Sequence, residues 1–137
     1  MHRMKVLLVS ADPDVREQMA VTARSVRRRF GPHEPFEVLE ASDGLEGIRM
    51  AWRHQPAVVV ADEITSRAGA FALTRELKGA EPPFPGKVLI LLDRSQDEWL
   101  ARWAEADGWF VKPIDPFELG EAVGSLVGGD RVDKEAG

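Results

Sequence analysis

The sequence predicts an α/β domain, a doubly wound three-layer sandwich built on a five-stranded parallel sheet with five helices. Three observations lead there. Five short apolar runs alternate with five stretches of helical spacing along the chain, the order that right-handed strand-helix-strand crossovers produce. The first run, Met4 to Val9, is apolar at every position but Lys5, as a strand covered on both faces is. Five such units also fall short of the eight that a closed barrel of parallel strands requires.

Met4 to Val9 is the first strand, bounded by small and turn-forming residues. Asp12-Pro13 opens a helix: Asp12 can cap it with its carboxylate, and Pro13 suits the first helical position because its missing N–H would be unpaired there. Val15, Met19, Thr22 and Val26 follow at helical spacing, and the helix should end near Arg29, before Gly31-Pro32. Phe36 to Ala41 reads as a second strand. Ser42-Asp43-Gly44 turns into a helix with Leu45, Ile48 and Trp52 expected on its apolar face. The third strand is the run from Ala57 to Asp62, and a loop through Gly69 leads to a short helix carrying Phe71, Leu73 and Leu77. Gly79 and the cluster Pro82-Pro83-Phe84-Pro85-Gly86 break that helix. Lys87 to Leu92 is the fourth strand, and a helix from about Gln96 to Ala106 should carry Trp99, Leu100, Trp103 and Ala104. The fifth strand is Trp109 to Val111, and Asp115-Pro116 opens a last helix with Phe117, Leu119, Val123, Leu126 and Val127.

Composition narrows the functional classes. With 137 residues, 44% of them hydrophobic, the chain suits one domain with one sizeable core. We assign residues 1–128 to it and read 129–137 as a polar, flexible tail. Lys+Arg 18 against Asp+Glu 23 leaves a net charge of −5, which argues against nucleic acid as a partner. The absence of cysteine excludes a disulfide framework and thiolate metal sites. The run Val6 to Val9 is far shorter than the roughly 20 apolar residues of a membrane span, so a cytoplasmic protein without membrane contact is expected. With no output domain in the sequence, a stand-alone regulator or one module of a larger pathway is expected.

The third strand closes on Asp62 and the fifth on Lys112-Pro113. In an open parallel sheet ligands bind beyond the carboxyl ends of the strands, so a carboxylate and an amine at two such ends are placed to meet. A strand-end aspartate can accept a phosphoryl group when a cation held by neighbouring acids, a lysine and a hydroxyl neutralise the incoming oxygens. The other two central ends, Val9-Ser10-Ala11-Asp12 and Leu91-Leu92-Asp93, offer fewer oxygens than such a site wants.

The segment Asp12-Pro13-Asp14-Val15-Arg16-Glu17, the turn Glu40-Ala41-Ser42-Asp43-Gly44 with Gly47, the strand into Asp62, the pair Ala106-Asp107 and the ending Val111-Lys112-Pro113 together resemble the receiver domain of two-component response regulators. Each motif is short, but their order and spacing, one per strand or turn, make the resemblance specific, and it runs from about Met4 to Val127. The resemblance implies a flavodoxin-like fold, a phosphoacceptor at Asp62, a phosphate counterion at Lys112, a cis peptide before Pro113 and a rotamer-switching aromatic at Trp109. The departures are as definite. The acidic pair that would hold Mg²⁺ falls on Ser10 and Ala11, the switch hydroxyl on Leu92, the Asp-Gly pair of the following loop on Gly69-Ala70 and its proline on Ser66. Metal ligation is left to Asp62 with Asp12, or with Glu63 turned inward, although Asp12 is better explained as a helix cap.

The expected function is therefore a receiver-like signalling domain of a phosphorelay with an incomplete phosphorylation site. In it Asp62 and Lys112 form a direct ion pair, and output runs through protein contacts rather than turnover. No cofactor is expected except Mg²⁺ if the site works. The alternative is a working phospho-receiver switched at Asp62. Such a switch needs a sizeable bias, since inverting a 1:99 population takes about 5.5 kcal/mol. An α/β phosphatase or hydrolase ranks last, because the chain has no Gly-rich phosphate loop after the first strand and no nucleophile elbow.

Partners are expected to be a sensor kinase or a downstream effector. The resemblance implies that the face of the fourth helix, fifth strand and fifth helix carries output contacts or a homodimer. Trp99 and Trp103 stand four apart on one helical side, and the expectation is one in the core and one at an interface. Arg24, Arg27, Arg28 and Arg29 complement the negative end of the first helix. His2, His33 and His54 are given no role.

Overall fold

The computed structural model describes residues 4–30, 36–63 and 68–127. The strands are β1 (Met4–Val9), β2 (Phe36–Ala41), β3 (Val58–Asp62), β4 (Lys87–Leu92) and β5 (Gly108–Val111). The helices are α1 (Pro13–Phe30), α2 (Gly44–His54), α3 (Ala70–Lys78), α4 (Glu98–Trp103) and α5 (Pro116–Val127). All neighbouring strands are parallel, in the order β2-β1-β3-β4-β5, the doubly wound arrangement expected of the alternation.

Two apolar layers fill the space on either side of the sheet. On one face Val6, Leu8, Val58, Val60, Leu89 and Leu91 pack with Val15 and Met19 of α1 and Leu119 and Val123 of α5. On the other, Leu7, Val9, Val59, Ala61, Ile90 and Leu92 meet Ala51 of α2, Leu73 and Leu77 of α3 and Ala101 of α4. Every residue of β3 is buried, as the unbroken apolar run requires for a strand with helices on both faces.

The helix starts follow their sequence signals. Asp12 Oδ1 accepts the Asp14 N–H at 2.9 Å, and Asp115 Oδ1 accepts the Phe117 N–H at 2.9 Å. At α2 a capping box forms: Asp43 Oδ1 accepts the Glu46 N–H at 2.9 Å while Glu46 Oε1 accepts the Ser42 N–H at 2.9 Å. At the amino ends of β4 and β5, Asp107 Oδ2 accepts from Lys78 Nζ at 2.7 Å and from the Val88 N–H at 2.8 Å.

Four sequence expectations need correction. The buried side of α2 is Gly44, Gly47 and Ala51, whereas Leu45 and Trp52 are exposed. A Cβ on Gly47 would stand 2.9 Å from Val9 Cγ2 and 3.1 Å from Leu73 Cδ1, so the helix lies too close to the sheet for its large apolar residues to point inward. The fourth helix is shorter than the span 96–106, because residues 95–97 form a 3-10 turn and the chain leaves the helix at Ala104, with Glu105 at φ 69°. Trp99 and Trp103 are 62% and 53% exposed, so neither enters the core. The short α4 makes its core contact through Ala101, and Ala104 is buried just beyond it. Phe117, expected in the apolar pattern of α5, is likewise exposed, while Leu119 and Val123 are buried. The tail 129–137, Ser66, His2 and His33 lie outside the described residues, as do the side chains of Arg24, Arg27, Arg28 and Arg29.

Candidate functional site

Register alone brings four polar side chains to the carboxyl edge of the sheet. Val9 of β1 pairs with Ala61 of β3, so the next residues, Ser10 and Asp62, end side by side. Leu92 of β4 pairs with Val111 of β5, so Asp93 and Lys112 do the same. Asp62 itself pairs with Leu91, one residue short of the β4 end.

Both oxygens of Asp62 are engaged. Ser10 Oγ–H donates to Oδ2 at 2.9 Å, and Lys112 Nζ donates to Oδ1. Asp62 is 2% exposed and Ser10 fully buried, so these contacts offset the cost of taking a carboxylate out of water. Lys112 Nζ also reaches Asp93 Oδ1 at 3.0 Å. Burial pulls the Lys112 ammonium toward lower pKa, but its hydrogen bonds to Asp62 and Asp93 outweigh it and hold the group above the ordinary lysine value. Ser10 is held in turn: its Oγ accepts the Asp12 N–H at 3.1 Å, and its carbonyl accepts from Arg16 Nη1 at 3.1 Å.

No family model matches the chain. An uncharacterized response regulatory protein of Mycobacterium tuberculosis is 28% identical over 125 residues, covering 90% of this chain and 91% of that protein. Among solved structures, a two-component response regulator of the LuxR family from Aurantimonas superposes with a TM-score of 0.71 at 27% identity, covering 95% of this chain and 89% of that one. The receiver domain of a sensor histidine kinase from Pseudomonas aeruginosa, with a magnesium ion coordinated in its active-site cleft, superposes with a TM-score of 0.77 at 19% identity, covering 93% of this chain and 99% of that one. Over nearly its whole length the chain is similar, in sequence and in fold, to response-regulator receiver domains of two-component systems.

In this chain the acids that could join Asp62 at a metal are occupied elsewhere. Asp12 caps α1. Glu63 Oε1 accepts the Asp93 N–H at 2.7 Å, and its carboxyl also hydrogen-bonds Asp97. Burial, with proton donation to Asp97, pushes the Glu63 pKa up, while Asp97 is held below its ordinary value by accepting from Glu63 and facing Arg94. Among the described residues no group of three or more His, Asp or Glu side chains is placed to hold a metal ion.

The remaining site positions fall around this edge. Leu92 is fully buried and hydrocarbon, so it donates nothing to the site. The Lys112–Pro113 peptide is cis. Trp109 is half-buried in β5, with the Arg102 guanidinium 5.3 Å from its ring centre, and Trp103 lies under Arg75 at 4.5 Å. Sequence reasoning missed Ser10 as a partner of Asp62, having read it only as a lost acid. It also gave no role to Asp93, although the parallel register of β4 and β5 could have placed it beside Lys112. Among the described residues no helix is long and apolar enough to cross a membrane.

Proposed function

We propose that this receiver domain is a signalling module whose site is closed without a metal ion and whose output is contact with other proteins, a sensor kinase or a downstream effector. The observation that carries the reading is the pairing of both Asp62 oxygens, one with the Ser10 hydroxyl and one with the Lys112 ammonium. A Mg²⁺ site wants several oxygen ligands and near-octahedral geometry, and Ser10 and Ala11 at the end of β1 supply no carboxylate. The residues as they stand do not fit the ion. The exposed tryptophans Trp99 and Trp103, the second packed under Arg75 of α3, support an interface on α4, since aromatic anchors are common at such surfaces. That surface suits a heterologous partner or a second copy.

The test is to incubate the full chain with Mg²⁺ and a small acyl phosphate and measure intact mass. No metal-dependent addition is expected. Efficient metal-dependent addition that disappears in Asp62→Asn overturns the reading.

A second reading keeps Asp62 as a phosphoacceptor. Its support is Lys112, a ready counterion for an acyl phosphate at Asp62, and the magnesium held by the similar receiver domain from Pseudomonas aeruginosa. In that case an Asp62 oxygen attacks the donor phosphorus, the donor's P–O bond breaks and its carboxylate leaves. Unchanged labelling and partner binding in Asp62→Asn would exclude this reading.

A further inference from the structure

Lys112 is shared between two carboxylates of different freedom. The Asp62 side chain is 3% exposed and that of Asp93 is 45% exposed, so one partner is enclosed in the sheet edge and the other reaches solvent. Asp93 also begins a chain of contacts leading away from the site. Its N–H donates to Glu63 Oε1 at 2.7 Å, the Glu63 carboxyl hydrogen-bonds Asp97, and Asp97 Oδ1 accepts from Arg94 Nη2 at 3.4 Å in the residue before α4 begins. Leu92, at the end of β4, has no polar group that could respond to a change at Asp62.

We propose that Asp93 is a positioning residue for Lys112, and that the Lys112–Asp93 pair carries the charge state of Asp62 into the segment 93–98 that opens α4. The proposal rests on Asp62 and Lys112 being the centre of the site, but not on whether Asp62 is phosphorylated. A single ammonium divides its hydrogen bonds between its acceptors. When Asp62 loses its charge, Lys112 is left to Asp93. When Asp62 carries a larger anion, Lys112 follows it and Asp93 is released. Either change moves a carboxylate whose backbone is tied to Glu63 and, through Glu63, to Asp97. Asp93 thus occupies the relay position that Leu92 leaves empty.

The test is a double-substitution cycle read by amide chemical shifts of the full chain. In the unaltered background, Asp62→Asn should shift the amides of Arg94, Asp97 and Glu98. In an Asp93→Asn background those shifts should be lost, and in an Asp93→Glu background they should return. As a second readout, Asp93→Asn should lower the titration midpoint of the Lys112 ammonium and Asp93→Glu should restore it. A purely structural Asp93 would produce neither pattern. If Asp93→Asn folds poorly, Asp93→Ser serves the same comparison, since the side chain is exposed. Equal amide shifts with and without the Asp93 carboxylate would overturn the proposal, as would no shift at all from Asp62→Asn. Metal-dependent phosphorylation of Asp62 would instead overturn the metal-free reading and leave this coupling standing.

Discussion

Ser10 Oγ–H donates to Asp62 Oδ2 at 2.9 Å, so a hydroxyl at the end of β1 completes the carboxylate that Lys112 only half satisfies. Ser10→Ala removes this donor and leaves a buried oxygen without a partner. Such a loss costs about 1–3 kcal/mol, because the desolvation of Asp62 is no longer offset. Urea denaturation should show a lower midpoint with an unchanged slope. A midpoint equal to that of the unaltered protein would mean that water reaches Asp62 in place of the serine.

Gly47 lets α2 lie close against the sheet, and Gly47→Ala places a methyl 2.9 Å from Val9 Cγ2 and 3.1 Å from Leu73 Cδ1. Overpacking of this kind costs about 1–3 kcal/mol. The helix-propensity gain of alanine over glycine, about 1 kcal/mol, offsets part of it. A net loss of stability is expected, read as a lower thermal midpoint. Val9→Ala in the same chain should recover part of the loss, because the two sites touch and are not additive.

The strands and their edge were legible because each signal is local. The apolar runs fixed β1 to β5, Asp12-Pro13 and Asp115-Pro116 fixed two helix starts, and the ends of β3 and β5 named Asp62 and Lys112. Distances between layers are not written in periodicity, which is why Leu45 and Trp52 were assigned to a core face that Gly47 and Ala51 occupy. Trp99 and Trp103 failed for a related reason: a helix of only six residues, Glu98–Trp103, turns only part of its surface to the core. Ser10 and Asp93 meet their site partners, Asp62 and Lys112, across strands through register, and those partners are distant in sequence.

Glu63 and Asp97 share a hydrogen bond that requires one of them to hold a proton. The Glu63 pKa is raised by burial and by donation to Asp97. A folded-state pKa above the unfolded value, about 4.3 for glutamate, means that the associated stability is full below that pH and is lost as pH rises through the folded value. Glu63→Gln keeps an N–H to donate to Asp97 and a carbonyl oxygen to accept from Asp93, with no proton to lose. The variant should therefore have a higher thermal midpoint at pH 7, and the difference should shrink toward pH 4. A constant difference across that range would show that Glu63 does not titrate differently on folding.

Ser10→Asp restores an acid beside Asp62 and separates the two readings of the site. Without a divalent ion, the second carboxylate faces a buried one across hydrogen-bond distance. Like charges about 4 Å apart repel by roughly 4 kcal/mol at an effective dielectric near 20, so the variant should be less stable than Ser10→Ala in the presence of a chelator. Lys112 cannot offset both charges, since Asp93 already holds part of its hydrogen bonding. Adding Mg²⁺ should raise the thermal midpoint of Ser10→Asp, because an ion that binds only the folded state stabilises it by mass action, and should leave the unaltered protein unmoved. A Mg²⁺-dependent rise in the unaltered chain would instead show that Asp62 recruits a metal with the ligands it already has, and would favour the phosphoacceptor reading.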